Sequence, residues 1–334
     1  MISLKEIGRI CGVAESTVSK ALKDHPGIKL ATRRRIQEVA SKHNYQPNAM
    51  VQCIQSGKSK SIGIAYNCFK DPFAGAVLDS IYKSLYHHGY DSLVIPWDMM
   101  VRDNANIFTR FSRRRVDGML MFPMAQKIKP EYRKQLKMFH NPIVLIDQTW
   151  PDNEFDYVGS DNHGGAYAAT TELIERGYRT IGALTHTSVS SGEERLTGFC
   201  AAMADHGMSI KEEHILDVGD VPGACYKVAR QMLKRKDRPE AMVCFNDNAA
   251  MELLATASDL GISVPDELAI VGFGDLPTAS IVRPAITTVA QYPEKIGETA
   301  VELILERLKN TDAAPRSRII PSELIIRDSI SNKK

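Results

Sequence analysis

SLKEIGRICGVAESTVSKAL, Ser3 to Leu22, holds two short helical patterns of apolar residues divided by a glycine. Ser3 followed by Glu6 is a capping box, in which each side chain satisfies a free backbone N–H at the other's end of the first turn. Leu4, Ile7, Ile10 and Cys11 recur at helical spacing and mark one inward face. Gly12 permits a tight turn, and Val13 supplies an apolar anchor beyond it. A second helix follows with Val18, Ala21 and Leu22 inward and Glu15, Ser16, Thr17, Ser19 and Lys20 outward. This is the pattern of a helix-turn-helix, whose second helix enters a DNA groove. Its short polar side chains leave the helix free to approach base edges and phosphates.

The residues just downstream extend the unit. His25 to Lys29 reads as a loop, and Thr32 to His43 as a third helix with Ile36, Val39 and Ala40 on its apolar face. Charge singles out the same region. Residues 1–60 hold eleven Lys/Arg against four Asp/Glu, a net of +7, which leaves −5 for the rest of a 334-residue chain whose total is +2. A small basic head on a larger acidic body implies that the head meets a polyanion and the body does not. The six cysteines, Cys11, Cys53, Cys68, Cys200, Cys225 and Cys244, show neither CxxC pairing nor metal-ligand spacing with histidine. They read as free thiols of a reducing cytoplasm. No apolar run approaches membrane-spanning length, and no signal-peptide pattern opens the chain.

From Ser61 onward, strands alternate with helices. SIGIAYN, YDSLVI, GMLMF (118–122) and PIVLID (142–147) are strand candidates, set between helical stretches at 74–88, 104–115 and 130–139. A second series starts after Asp161, with helices at 163–176, around 192–206, 223–235 and 247–260. Its strands are TIGAL (180–184), HILDV, AMVCF (241–245) and LAIVG (268–272). Such alternation predicts an α/β body of two Rossmann-like lobes, each a parallel sheet covered by helices on both faces. The tail from Ile286, ITTVAQYPEKIGETAVELILERL and then SRIIPSELIIR, is too long for a trailing helix.

In GVAESTVSKAL, TRRRIQEVASKHNYQPN and the lead-out SGKSKSIGI, the chain resembles the lactose-repressor (LacI-type) family of bacterial transcription regulators, and the likeness continues through nearly all of it. The resemblance implies a DNA-binding head over 1–46, a hinge and linker over 47–60, and an effector-binding and dimerisation domain over 61–334. That domain would have two lobes of periplasmic-binding-protein type, about 61–158 with 290–320 and about 159–289 with 321–330, the chain crossing near 158–162, 288–292 and 319–323. The hinge of such proteins becomes helical on DNA and wedges an apolar side chain into the minor groove, prising apart a base step. Ile54 stands at the wedge position, where Leu is usual, and Val51 stands where the family carries a small Ala. Ser3, Thr32, Tyr45 and Asn48 complete the residues expected to face DNA. Two heads on a two-fold would grip a pseudo-palindromic operator, because one recognition helix reads too few bases alone.

Ligands of open parallel sheets bind at the carboxyl ends of strands. The polar residues there are Asn67 to Phe73, Pro123, Asp147 with Gln148, Thr185 to Arg195, Asn246 with Asp247, and Gly274 with Asp275. Each of them equally suits a helix cap, as Asp161 and Asn246 do. The resemblance narrows the effector set to Phe73 as a stacking face, Asp147, Arg195, Asn246 and Asp275. One departure stands out: the family's GFDD or GYDD reads Gly272-Phe273-Gly274-Asp275, so the first carboxylate is missing, and Val221 replaces an aromatic that some sugar-binding members carry. Arg195 is then expected to anchor a sugar, sugar acid or related metabolite through its guanidinium fork. The chain has no GxxxxGK[ST] loop, HExxH or GxSxG, so no enzyme, cofactor or metal is expected; the alternatives to a regulator are a soluble sugar-binding receptor and a Rossmann-like sugar- or nucleotide-modifying enzyme, both without DNA function.

Overall fold

A computed structural model of the protein describes residues 2–46, 53, 57–66, 71–97, 107–123, 130–150, 154–219 and 223–333. The chain divides into two compact units, Met1–Ser59 and Lys60–Lys334.

The first unit holds α1 (Leu4–Cys11), α2 (Glu15–Leu22) and α3 (Leu30–Lys42). Ser3 Oγ accepts from the Glu6 N–H at 3.2 Å and a Glu6 carboxylate oxygen accepts from the Ser3 N–H at 2.8 Å, closing the capping box. Gly12 ends α1 at φ +63°, the left-handed region that a side chain resists. Ile7, Cys11, Val18, Ala21, Ile36 and Ala40 form the core between the three helices. Ile10 corrects the inward face expected of α1, being 47% exposed. The buried side of α1 is turned toward Gly8, where a Cβ would lie 2.7 Å from the Val13 carbonyl oxygen, so α1 meets the turn backbone to backbone and leaves Ile10 outside.

The second unit begins with β1 (Ser61–Tyr66), α4 (Pro72–His87), β2 (Asp91–Pro96), α5 (Ile107–Arg113), β3 (Gly118–Met121), α6 (Pro130–Met138), β4 (Ile143–Ile146) and β5 (Asp156–Ser160). It continues through α7 (Asn162–Glu175), β6 (Ile181–Thr185), α8 (Ser190–Asp205), β7 (Ile215–Asp217), α9 (Ala224–Leu233), β8 (Ala241–Cys244), α10 (Asp247–Asp259), β9 (Ala269–Gly274) and α11 (Pro277–Ile281). It ends with β10 (Thr287–Ala290), α12 (Pro293–Arg307), β11 (Ser317–Ile320) and β12 (Glu323–Ile325). These strands form two six-stranded sheets, in the orders β11-β5-β4-β3-β1-β2 and β12-β10-β9-β8-β6-β7. All described pairings are parallel except that of β10 with β12.

Alternation along β1 shows why two covered faces are needed. Ile62, Ile64 and Tyr66 join the cluster of α4 and α12, with Val77, Ile81, Leu85, Leu303 and Ile304. Ala65 joins the opposite cluster, with Trp97, Phe108, Phe111 and Leu136. The second sheet is covered likewise on both faces. The chain leaves the first sheet after Ser160, returns to its layer with α12 after Ala290, and leaves it again after Ile320. Among the described residues no helix is long and apolar enough to cross a membrane.

Candidate functional site

In the head, Glu15, Ser16 and Lys20 are exposed on α2, while Thr17 and Ser19 are half-buried. Val18 and Ala21 are fully buried on the other side, so α2 is held by one face and presents its opposite. Ser3 is exposed and engaged as the α1 cap. Thr32 is half-buried in the first turn of α3, and Tyr45 packs against the head's core. Burial raises the Tyr45 hydroxyl's pKa, and the Glu15 charge adds to the rise. Asn48, Val51 and Ile54, with most of the hinge, lie outside the described residues, as do Asn67 to Lys70, Cys68 and Val221.

In the body, a cavity of about 360 Å³ opens where the carboxyl ends of the two sheets face each other. Phe73, Asp147, Arg195 and Asn246 all line it, so four of the five expected effector residues come together. Asp275 does not and is a correction. It stands just past β9 at φ +53°, and its carboxylate accepts from Arg327 Nη2 at 2.5 Å, an ion pair that turns it away from the cavity. Gly274 does line the cavity, at φ +138°. A Cβ there would lie 3.3 Å from Asp247 Oδ2. Asp247 is itself buried and bound to Thr288 Oγ1 at 2.5 Å and the Leu276 N–H at 2.7 Å. Backbone and neighbouring charge both favour glycine at 274.

Arg195 crosses from α8 over the Phe273 ring, 3.8 Å from its centroid. Its Nε donates to Asn162 Oδ1 at 2.9 Å and its Nη1 to the Phe245 carbonyl. The Nη2 edge makes no hydrogen bond among the described residues. Glu194 accepts from Asn162 Nδ2 at 2.8 Å, so one amide braces both charges. Loss of hydration pulls the guanidinium below its ordinary pKa, against the opposing charges of Asp147 and Glu194. Burial likewise pushes the Asp147 and Glu194 carboxyls up, against the pull of Arg195. Asp147 Oδ2 accepts from Gln148 Nε2 at 2.8 Å, whereas Oδ1 is buried without a partner among the described residues. A buried acceptor left unpaired costs on the order of 1–3 kcal/mol, which a bound donor would recover.

Gln148 also fastens the two lobes. Its Oε1 accepts from Ser190 Oγ at 3.0 Å and from the Ser191 N–H at 3.1 Å, and its Nε2 donates to Ser191 Oγ at 2.6 Å. The Thr149 N–H donates to Ser190 Oγ at 2.9 Å. The capping alternatives hold as well: Asp161 accepts from the Gly164 N–H and Asn246 from the Ala249 N–H, both at 2.8 Å. Asn246 nonetheless keeps its place in the lining, so a cap does not preclude a site. Sequence reasoning missed Phe245 and Gln291 in the lining and Asn162 behind it. Gln291 follows β10, a strand that no apolar run announces, and Asn162 carries no signal apart from its place after Asp161.

A helix-turn-helix head joined to a two-lobed body with a ligand-sized cavity defines a ligand-responsive DNA-binding regulator. Residues 3–48 match the family of bacterial regulatory proteins, lacI family, and residues 170–330 match the periplasmic binding protein-like domain. The HTH-type transcriptional repressor PurR of Proteus mirabilis is 30% identical over 99% of this chain and 98% of its own length. The repressor of the same name from Photobacterium profundum is 28% identical over 99% of each chain. A lac repressor dimer bound to operator and an anti-inducer superposes with a TM-score of 0.89 at 18% identity, over 99% of both chains, a likeness of fold. The chain belongs to the lacI family of bacterial regulatory proteins, and it is a transcription regulator rather than an enzyme.

Proposed function

We propose that the protein is a repressor whose two heads grip a pseudo-palindromic operator as a homodimer, and whose cavity takes a hydroxyl-rich, uncharged small molecule. Residues 1–46 would read the operator, 47–60 serve as hinge, and 61–334 sense the effector and dimerise. In the head, Glu15, Ser16 and Lys20 are the exposed α2 side chains on which base preference rests. The relatives' printed names support the repressor reading, and the lac repressor dimer on operator supports the two-fold.

The observation that carries the ligand class is the pairing of an unpartnered acceptor, Asp147 Oδ1, with an unpartnered donor edge, Arg195 Nη2, in one lining. A hydroxyl satisfies both, donating to the carboxylate and accepting from the guanidinium. A sugar acid fits less well, because its carboxylate would share the cavity with Asp71 and Asp147 and have Glu194 behind. Phe73 offers the apolar face that a sugar ring or similar body needs.

Selection of duplexes from a random-sequence library, then calorimetry against neutral polyols, sugar acids and nucleobases, tests the reading. A binding neutral polyol should change operator affinity, and operator should change polyol affinity by the same factor. Failure to retain any duplex would overturn the repressor assignment. Tighter binding of acids than of their neutral counterparts would overturn the ligand class.

A further inference from the structure

We propose that the body itself holds DNA, through the arginine run that ends α5, on phosphates flanking the sequence that the head reads. Arg110, Arg113, Arg114 and Arg115 are all exposed, and residues 107–116 contain no acidic side chain. None of the four makes a side-chain hydrogen bond or ion pair among the described residues. This run stands on a body whose net charge is −5. Cations at a helix C-terminus complement its dipole, and Arg110 and Arg113 fit that structural role. Arg114 and Arg115 lie beyond the helix. Arg115 has φ +52°, a left-handed backbone that glycine or asparagine takes more readily, yet arginine occupies it.

Their place in the sheet points to what they meet. β3 starts three residues after Arg115 and runs beside β1, with Ile62 level with Gly118. The Asp117 N–H donates to the Ser61 carbonyl at 2.8 Å, and Asp117 Oδ2 accepts from the Lys60 N–H at 3.0 Å. The arginine turn therefore sits against the residues by which the chain enters the body from its hinge. The inference rests on the operator reading above. In the sequence Lys60 closes the 47–60 stretch that tethers the body to the DNA-reading head. Guanidinium forks match phosphate oxygens, and such pairings add affinity and register without reading sequence. An acidic protein surface would satisfy the same charges, but the tether to a DNA-binding head favours the duplex.

The test uses the full chain with Arg113, Arg114 and Arg115 all changed to Gln, which removes the charge and keeps an unbranched stem with a polar end. Binding is measured against salt on a selected operator in two lengths, one trimmed to the read sequence and one extended by about ten base pairs, roughly one helical turn, on each side. On the extended duplex, the log–log salt dependence of the variant should be shallower by about 0.9 for each phosphate that is no longer neutralised, or about 2 for one phosphate per protomer. On the trimmed duplex the two proteins should coincide. Equal slopes on the extended duplex overturn the proposal, and loss of binding to polyglutamate in the variant would then assign the arginines to an acidic protein. An equal loss on both lengths also overturns it, placing the effect inside the read sequence. If neither protein binds either duplex, the repressor reading falls and this one with it.

Discussion

Arg195 is braced by Asn162, the Phe245 carbonyl and the Phe273 ring before any ligand arrives. It is thus part of the wall as well as a candidate ligand anchor. Replacement by Met would leave Asp147 and Glu194 facing each other across a poorly hydrated site. Thermal unfolding should show a loss of about 2–3 kcal/mol, the worth of one charged hydrogen bond. Adding Asp147→Asn should return part of that loss, since the orphaned charge is removed with its partner. Additive losses would mean that the two side chains do not interact. The residues at strand ends are legible because parallel sheets put ligands there, which is how Phe73, Asp147, Arg195 and Asn246 stand out. Their partners are not. Asn162 and Arg327 meet their carboxylates and guanidinium across gaps that no local pattern spans, which is why Asp275 passes for a ligand residue in the sequence. The buried pair of Arg307 with Asp156, at 8% and 1% side-chain exposure, is invisible likewise.

Among the elements, α1 has a complete capping box while α2 and α3 start at Ala14 and Lys29 with no side-chain cap. Ala14 already holds φ −66°, ψ 150°, the extended backbone of an N-cap residue. Ala14→Ser should therefore stabilise the head by about 1 kcal/mol, seen as slower amide exchange across residues 15–42 of the full chain. Unchanged exchange would show that the new hydroxyl finds no N–H. The helices of head and body are legible from apolar spacing and caps, and the buried strands of both series from short apolar runs. β5 (DYVGS), β10 (TTVA), β11 (SRII) and β12 (ELI) carry no such signal. They are three to five residues long and mixed in polarity, and the β11 partner of β5 lies 160 residues away (Ser317 level with Tyr157). For β10, β11 and β12, only the length of the tail hints that they exist.

For the molecule as a whole, the Gln148 clasp to Ser190 and Ser191 joins the lobes beside the cavity. Gln148→Ala removes these bonds at about 0.5–1.5 kcal/mol each, so the arrangement that encloses ligand should become less populated. Calorimetry should show effector affinity weakened by roughly tenfold, about 1.4 kcal/mol, and operator affinity should shift as well because the sites are linked. An unchanged effector affinity would show that the clasp is incidental to closure. The three crossings after Ser160, Ala290 and Ile320 bear on another matter, the order in which the chain is born. The first sheet lacks its outermost strand until β11 is made, and the second until β12 is made, so β5 stands as an open edge from Ser160 until Ser317 emerges, and β10 from Ala290 until Glu323. The head's three helices are complete by Lys42. On the ribosome, a finished DNA reader therefore waits for both halves of its sensor, and the two halves are finished almost together, by the last strands to emerge.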